Sequence, residues 1–229
     1  MMVEVNNLTK IYGKETVLDN VSFTLNAGEV LGVVGPNGCG KSTLFGIMLG
    51  LREASSGYSE LFGERDIQKV KSRIGVAMDQ GSFYNSFSAR RNLLLSAQVK
   101  GADASKIDEY LQRVDLAHTG SKAFKKFSYG MKKRLEIADA MLNDPDLYIF
   151  DEPTNGLDPD GIVFIRQTIL ALREQGKTVI VSSHYLQEIE KVCTKLIMLR
   201  KGRILYNGGA AELREKHGDL EEFFLNQKG

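Results

Sequence analysis

The run Gly35-Pro36-Asn37-Gly38-Cys39-Gly40-Lys41-Ser42 completes the pattern G-x-x-x-x-G-K-[ST]. Its residue types suit one task, the cradling of a chain of phosphates. Glycines let the backbone curl until successive N–H groups converge on an anion, an approach that side chains would block. A helix that begins at Lys41 adds its positive N-terminal end. Lys41 reaches β- and γ-phosphates as a mobile cation, and Ser42 offers a hydroxyl to Mg²⁺. Thr43, the next residue, belongs to the same phosphate-binding set. A chance glycine-rich turn would rarely fall, as this one does, between an apolar strand and a helix. Cys39 occupies a place where only small residues fit, so packing accounts for it without redox chemistry.

A second cluster lies over a hundred residues on, in Leu147-Tyr148-Ile149-Phe150-Asp151-Glu152. Four apolar residues that run into two carboxylates place the acids at the C-terminal end of a buried strand, where α/β folds bind ligands. Asp151 would hold the metal, and Glu152 would polarise an attacking water. An ordinary strand end with a helix cap would read the same in isolation. Beside a phosphate loop in the same sheet, it would not.

These groups need a scaffold. Glu29–Val34 is a short apolar run bounded by glycines and predicts a buried parallel strand, with a helix over Lys41–Leu51. Ile74–Met78, Leu147–Phe150 and Thr178–Val181 predict further buried strands, with helical patterns between them. From Val3 to Leu25 the pattern is short strands and turns. Residues 88–145 are almost wholly helical in pattern and predict an insertion between two strands of a core formed by 1–87 and 146–229. Strands at Leu196–Leu199 and Arg203–Tyr206 and a helix around Asp219–Leu225 close the chain. The fold class expected is a P-loop NTPase-type α/β core with a mainly parallel sheet, an N-terminal antiparallel β part and an inserted α-helical part.

Of the 229 residues, 30 are Lys or Arg and 29 are Asp or Glu, for a formal charge of +1. That balance gives no reason to expect nucleic acid as a partner. The basic run Lys132-Lys133-Arg134 reads as the solvated face of a helix. Two cysteines are too few for a disulfide framework and fit a reducing compartment. The first residues lack the basic-then-apolar pattern of a secretion signal. No apolar stretch approaches the roughly 20 residues that span a bilayer, so the chain reads as soluble.

Phe127-Ser128-Tyr129-Gly130-Met131, followed by Lys-Lys-Arg-Leu-Glu-Ile-Ala, resembles the signature sequence of the ABC (ATP-binding cassette) ATPases. Asp151-Glu152-Pro153-Thr154-Asn155-Gly156-Leu157-Asp158-Pro159 is similar to that family's second acidic motif and the loop after it. His184 matches its switch histidine, and Leu8-Thr9-Lys10-Ile11-Tyr12-Gly13 resembles its adenine-stacking loop, with Tyr12 as the aromatic face. The resemblance covers essentially the whole chain. It implies ATP and Mg²⁺ as ligands and a head-to-tail dimer, with each ATP held by one subunit's phosphate loop and capped by the other's signature helix. Ser128, Gly130 and Met131 would belong to that cap, and Asp158 to the seam. His184 would contact the γ-phosphate beside Glu152, with Lys41, Glu152 and His184 as the catalytic set.

Two departures stand out. Tyr129 and Met131 replace the commoner glycine and glutamine, and the tyrosine is tolerable only with an ordinary backbone and a ring turned away from nucleotide. The same substitution leans the resemblance towards exporter-type, drug- and antibiotic-resistance-like subunits. Where the family has a glutamine that reaches Mg²⁺ and water, this chain has Asp79 followed by Gln80, and either could serve.

The function implied is the ATP-hydrolysing subunit of a membrane transporter. Its partners would be a second such subunit and a separate integral membrane protein, and it would sit in the cytoplasm at the inner face of the membrane. Phe83, Tyr84 and Phe87 would line the groove that receives a helix of that protein. Soluble ABC proteins are the alternative. The DNA-repair type needs heptad coiled coils and the ribosome type needs two cassettes, neither present here. An iron–sulfur cluster assembly ATPase differs only in its partners, and a non-hydrolysing regulatory subunit would not need Lys41, Asp151, Glu152 and His184 together.

Overall fold

The chain uses two kinds of strand and builds a sheet from each. In this computed structural model, which describes residues 1–78 and 83–217, the elements in order begin with β1 (Val3–Tyr12) and β2 (Glu15–Leu25). They alternate buried and exposed residues and pair antiparallel through a two-residue turn at Gly13-Lys14. The next strand, β3 (Val30–Val34), is buried at every position and leads through the glycine loop into α1 (Lys41–Met48). β4 (Ser56–Leu61) adds to the free edge of β1, which gives a three-stranded antiparallel sheet in the order β2-β1-β4.

The second sheet begins with β3 and continues with β5 (Ile74–Ala77). A largely helical stretch then carries α2 (Ala89–Lys100), α3 (Ile107–Arg113) and α4 (Tyr129–Ala140). After it come β6 (Leu147–Phe150), α5 (Pro159–Glu174), β7 (Thr178–Ser183), α6 (Leu186–Ile189), β8 (Lys195–Arg200), β9 (Arg203–Gly209) and α7 (Ala210–His217). The strand order is β5-β6-β7-β3-β8-β9, with every pair parallel except β8–β9. This is the expected fold class. The helix anticipated at Asp219–Leu225 lies outside the described residues, as do Asp79 and Gln80.

One apolar cluster fills the face of the large sheet covered by α2–α5; the other lies between that sheet, α1 and the antiparallel sheet. Packing of α4 on β5 is close enough that a Cβ on Gly75 would lie 2.3 Å from the Ala140 carbonyl oxygen. The basic run on α4 is not a solvated face. Lys133 is buried with its ammonium 3.2 Å from Glu136, and the Arg134 guanidinium caps the Val114 carbonyl and lies over the Phe164 ring. Long cationic side chains spread their stems across apolar surface, which a charge count along the sequence does not reveal.

The sheet order matters for chemistry. β3 sits between β7 and β8, with Val34 beside Ser183, and Phe150 at the end of β6 lies beside Val181. The loops that leave the C-terminal ends of β3, β6 and β7 therefore emerge side by side, although over a hundred residues separate the first from the others.

Candidate active site

Backbone geometry builds the phosphate loop. Gly38 and Gly40 have φ values of 78° and 113°, a region that L side chains rarely adopt. A Cβ on Gly40 would lie 2.7 Å from Leu18 Cδ2 and 2.9 Å from the Val17 carbonyl oxygen, so the loop presses on β2 without a gap. A Cβ on Gly35 would meet the Leu199 carbonyl oxygen at 2.2 Å and Cys39 Sγ at 2.6 Å. Cys39 is thus packed beneath the loop, and burial pushes its thiol up, against the lowering field of Lys41. Burial also raises the thiol of Cys193. Neither thiol of the folded chain should react quickly with a maleimide at neutral pH. Fast labelling of Cys39 before denaturation would show that the loop opens far wider than this packing allows.

Lys41 is buried, and its ammonium donates to the Gly35 carbonyl at 2.6 Å and to the Pro36 carbonyl at 3.3 Å. It also lies 3.0 Å from Glu152 Oε1, an ion-pair distance whose geometry makes no hydrogen bond. The other carboxylate oxygen, Oε2, is 2.8 Å from His184 Nδ1, a place where an ionised carboxylate accepts from an Nδ1–H. Lys41, Glu152 and His184 form one chain of charged and polar groups across the mouth of the loop.

A parallel chain runs through Asp151. Ser42, in the first turn of α1, donates to Asp151 Oδ2 at 2.7 Å, and Ser182 on β7 donates to Oδ1 at 2.6 Å. A hydroxyl and a carboxylate at this separation are hard oxygen donors, which suits Mg²⁺ that keeps waters and phosphate oxygens as its other ligands. Among the described residues no group of three His, Cys, Asp or Glu could hold a metal. Glu152 has φ of 48°, a left-handed conformation that costs a non-glycine residue roughly 1–3 kcal/mol. The Ser182 hydroxyl accepts from the Glu152 N–H at 2.8 Å and helps to hold that conformation. Sequence reasoning missed Ser182. Its signal was a polar pair, Ser182-Ser183, closing an otherwise apolar strand before the histidine.

The cleft above the loop has a volume of about 170 Å³ and is lined by Val17, Asn37, Gly38, Gly40, Lys41, Ser42, Thr43 and Glu152. Pro36, in the same loop, contributes the carbonyl that Lys41 touches. Tyr12 ends β1 as an exposed residue, the Lys10 ammonium 4.8 Å from the ring centroid and the Arg52 guanidinium donating to its hydroxyl.

Ser128, Gly130 and Met131 stand apart from this cleft at the start of α4. The Ser128 hydroxyl caps the helix by accepting from the Met131 N–H at 3.2 Å. Asp158 likewise caps α5 by accepting from the Gly161 N–H. Tyr129 is helical, as expected of a non-glycine residue there, and its ring comes within 3.1 Å of where a Cβ on Gly156 would be. The signature helix therefore leans on the loop after the acids.

With this geometry in view, the comparisons with known proteins are direct. Residues 18–155, more than half of the chain, match the family model described as ABC transporter. The chain belongs to the ABC transporter family. A second model, an AAA domain described as a putative AbiEii toxin of a type IV toxin–antitoxin system, matches only residues 123–190. Among curated proteins, the bacitracin transport ATP-binding protein BcrA of Bacillus licheniformis is 38% identical, over 99% of this chain and 76% of its own length. The lantibiotic transport ATP-binding protein SrtF of Streptococcus pyogenes is 36% identical, over 99% of this chain and 97% of its own. A solved ATP-binding cassette, a dimer in a post-hydrolysis state with ADP and phosphate, superposes with a TM-score of 0.83 at 26% identity. That match covers 91% of this chain and 99% of the other. The chain is an ATP-binding, ATP-hydrolysing subunit of an ABC transporter. Among its described residues no helix is long and apolar enough to cross a membrane.

Proposed function

We propose that this subunit drives the export of a peptide antibiotic or a compound of similar size, through a head-to-tail dimer with two ATP molecules at its seam. The observation that carries the catalytic part is the convergence of Lys41, Glu152 and His184 on one side of the loop and Ser42 and Asp151 on the other. In this reading ATP lays its phosphates along Gly35, Pro36, Asn37, Gly38, Cys39, Gly40, Lys41, Ser42 and Thr43. Tyr12 stacks on the adenine. Ser42 and Asp151 would hold Mg²⁺, with Asp79 or Gln80 as the further candidate ligand, and the cation would supply positive charge to the phosphates. Lys41 turns from Glu152 towards the phosphates, and Glu152, now unpaired on that side, takes the proton of the attacking water. His184 keeps its hydrogen bond to Glu152 and faces the γ-phosphate.

The cleft supports the dimer. At about 170 Å³ it is smaller than the roughly 300–1,000 Å³ of complete ligand pockets, which fits a reading in which a second subunit adds to the wall. Ser128, Gly130 and Met131 of a second subunit would supply the rest, with Asp158 at the contact. In the same reading residues 88–145 move as a helical unit relative to the core formed by 1–87 and 146–229.

Contact with the membrane protein is assigned to the segment between β5 and α2. Phe83 is partly buried, its ring centroid 5.2 Å from that of Phe124, and it packs against the main core while keeping some exposed surface. Tyr84 is 60% exposed and stacks on Phe87, and the Arg91 guanidinium lies over the Phe87 ring. Asn92, buried, holds the segment by accepting from the Tyr84 N–H and donating to the carbonyls of Tyr84, Phe87 and Ser88. Tyr84→Asp should therefore keep the fold and ATP binding yet release the chain from native membranes. Recovery of a multi-span membrane protein with the wild-type chain, lost in this variant, is the expected result. Purely soluble recovery with a cluster-assembly complex would overturn the transport reading. Cells without the chain should also become sensitive to a bacitracin- or lantibiotic-type peptide, and unchanged sensitivity to both would remove the substrate class.

A further inference from the structure

We infer that Ser182 is a positioning residue for ATP hydrolysis, a group that ties the metal-side carboxylate of Asp151 to the backbone N–H of Glu152. The inference rests on the roles proposed above for Asp151 and Glu152. Ser182 is fully buried near the C-terminal end of β7, beside the last residues of β3 and one position beyond the register partner of Phe150. Its hydroxyl gives its one proton to Asp151 Oδ1 at 2.6 Å and receives the Glu152 N–H at 2.8 Å. A hydroxyl has one donor and two acceptor sites, so it can serve both neighbours at once. A methyl can serve neither, and a thiol serves both weakly.

Each bond does something the other cannot. The bond to Asp151 leaves Oδ2 as the oxygen turned to Ser42, which fixes the side of the carboxylate that faces a cation. The bond to the Glu152 N–H holds a left-handed backbone, and that conformation aims the Glu152 side chain back across the loop towards Lys41 and His184. The adjacent Ser183 has different duties. Its carbonyl accepts from the Gly35 N–H and its hydroxyl from the Tyr185 N–H. Ser182 is not itself a lining residue of the cleft and reaches its wall through the Glu152 N–H, so it acts on the reaction through the two acids.

The test compares Ser182→Ala, Ser182→Cys and Ser182→Thr with the wild type and with Glu152→Gln. ATP affinity is read by calorimetry with and without Mg²⁺, turnover against ATP and Mg²⁺ concentration, and folding by thermal melting. Removing a group that orients a metal ligand or a catalytic carboxylate lowers metal affinity or activity by about 10–100-fold. Ser182→Ala should lose that much in kcat, need more Mg²⁺ for half-maximal rate, and bind Mg²⁺-free ATP within about twofold of the wild type. Ser182→Cys should fall between, and Ser182→Thr, which keeps the hydroxyl, should recover most of the rate. Folded Ala and Cys variants with kcat within twofold of wild type would overturn the inference. So would a loss shared equally by melting, Mg²⁺-free binding and turnover, or a Thr variant no faster than Ala. Near-normal turnover in Glu152→Gln would instead overturn the underlying assignment of Glu152, a separable failure.

Discussion

Glu152→Gln should bind ATP as tightly as the wild type or more tightly, and should turn it over about 10²–10⁴ times more slowly, the range for loss of a general base. The direction of the binding change comes from the ion pair at the loop. Glu152 Oε1 lies 3.0 Å from the Lys41 ammonium, so the negative carboxylate competes with phosphate for the same cation. An amide of the same shape removes that competitor and leaves the loop intact. Binding without hydrolysis should then accumulate a dimer closed on two unhydrolysed ATP molecules. Size-exclusion chromatography with and without ATP reads the dimer, and a phosphate-release assay reads the rate. Turnover close to wild type would remove Glu152 from the mechanism.

Lys41→Ala should weaken ATP binding by at least 100-fold. Charge-assisted hydrogen bonds contribute about 1.5–3 kcal/mol each. The side chain that now donates to the Gly35 and Pro36 carbonyls can offer at least two such bonds to phosphate. At about 1.4 kcal/mol per tenfold, two lost bonds exceed two orders of magnitude. Truncation also leaves the Glu152 carboxylate facing the phosphates unscreened, which adds repulsion. Calorimetry measures the affinity, and circular dichroism checks that the buried position tolerates the smaller residue. Equal affinity in a folded variant would contradict the role of the loop.

The two groups altered in these experiments were legible in the sequence because their spacing is local. G-x-x-x-x-G-K-[ST] is one turn of chain, and Leu147–Phe150 running into Asp151-Glu152 is one strand and its end. Buried parallel strands were equally plain, since β3, β6 and β7 are unbroken apolar runs apart from their ends. What failed was information that only packing supplies. β4, Ser56–Leu61, mixes serine, glycine and glutamate and becomes a strand because β1 offers a free edge. Phe83 and Tyr84 are adjacent aromatics that the sequence treats alike, yet one packs on Phe124 and the other faces out. Lys133 reads as a surface charge and is buried beside Glu136. Ser182 shows in the sequence only as half of a polar pair that closes an apolar strand. Its significance arises when β6 and β7 lie side by side and bring the Asp151 carboxylate and the Glu152 N–H to one hydroxyl.

The position of β3 in the middle of its sheet also bears on how the protein is made. Gly28 at its entry is hydrogen-bonded to Thr178, 150 residues downstream, and Val30 to Thr194, 164 residues downstream. A nascent chain that has just released the glycine loop has neither flanking strand to lay it against. Pairings this distant cost loop-closure entropy before they return any contact energy, so they form late. At about 5–20 residues per second, some seconds separate synthesis of the loop from arrival of its second neighbour. During that interval Val30–Val34 is an apolar strand with both edges open, the kind of segment that chaperones cover and that aggregates when they do not. Ribosome-stalled chains that end before residue 178 should therefore fail to be retained on immobilised ATP, although they contain every residue of the loop.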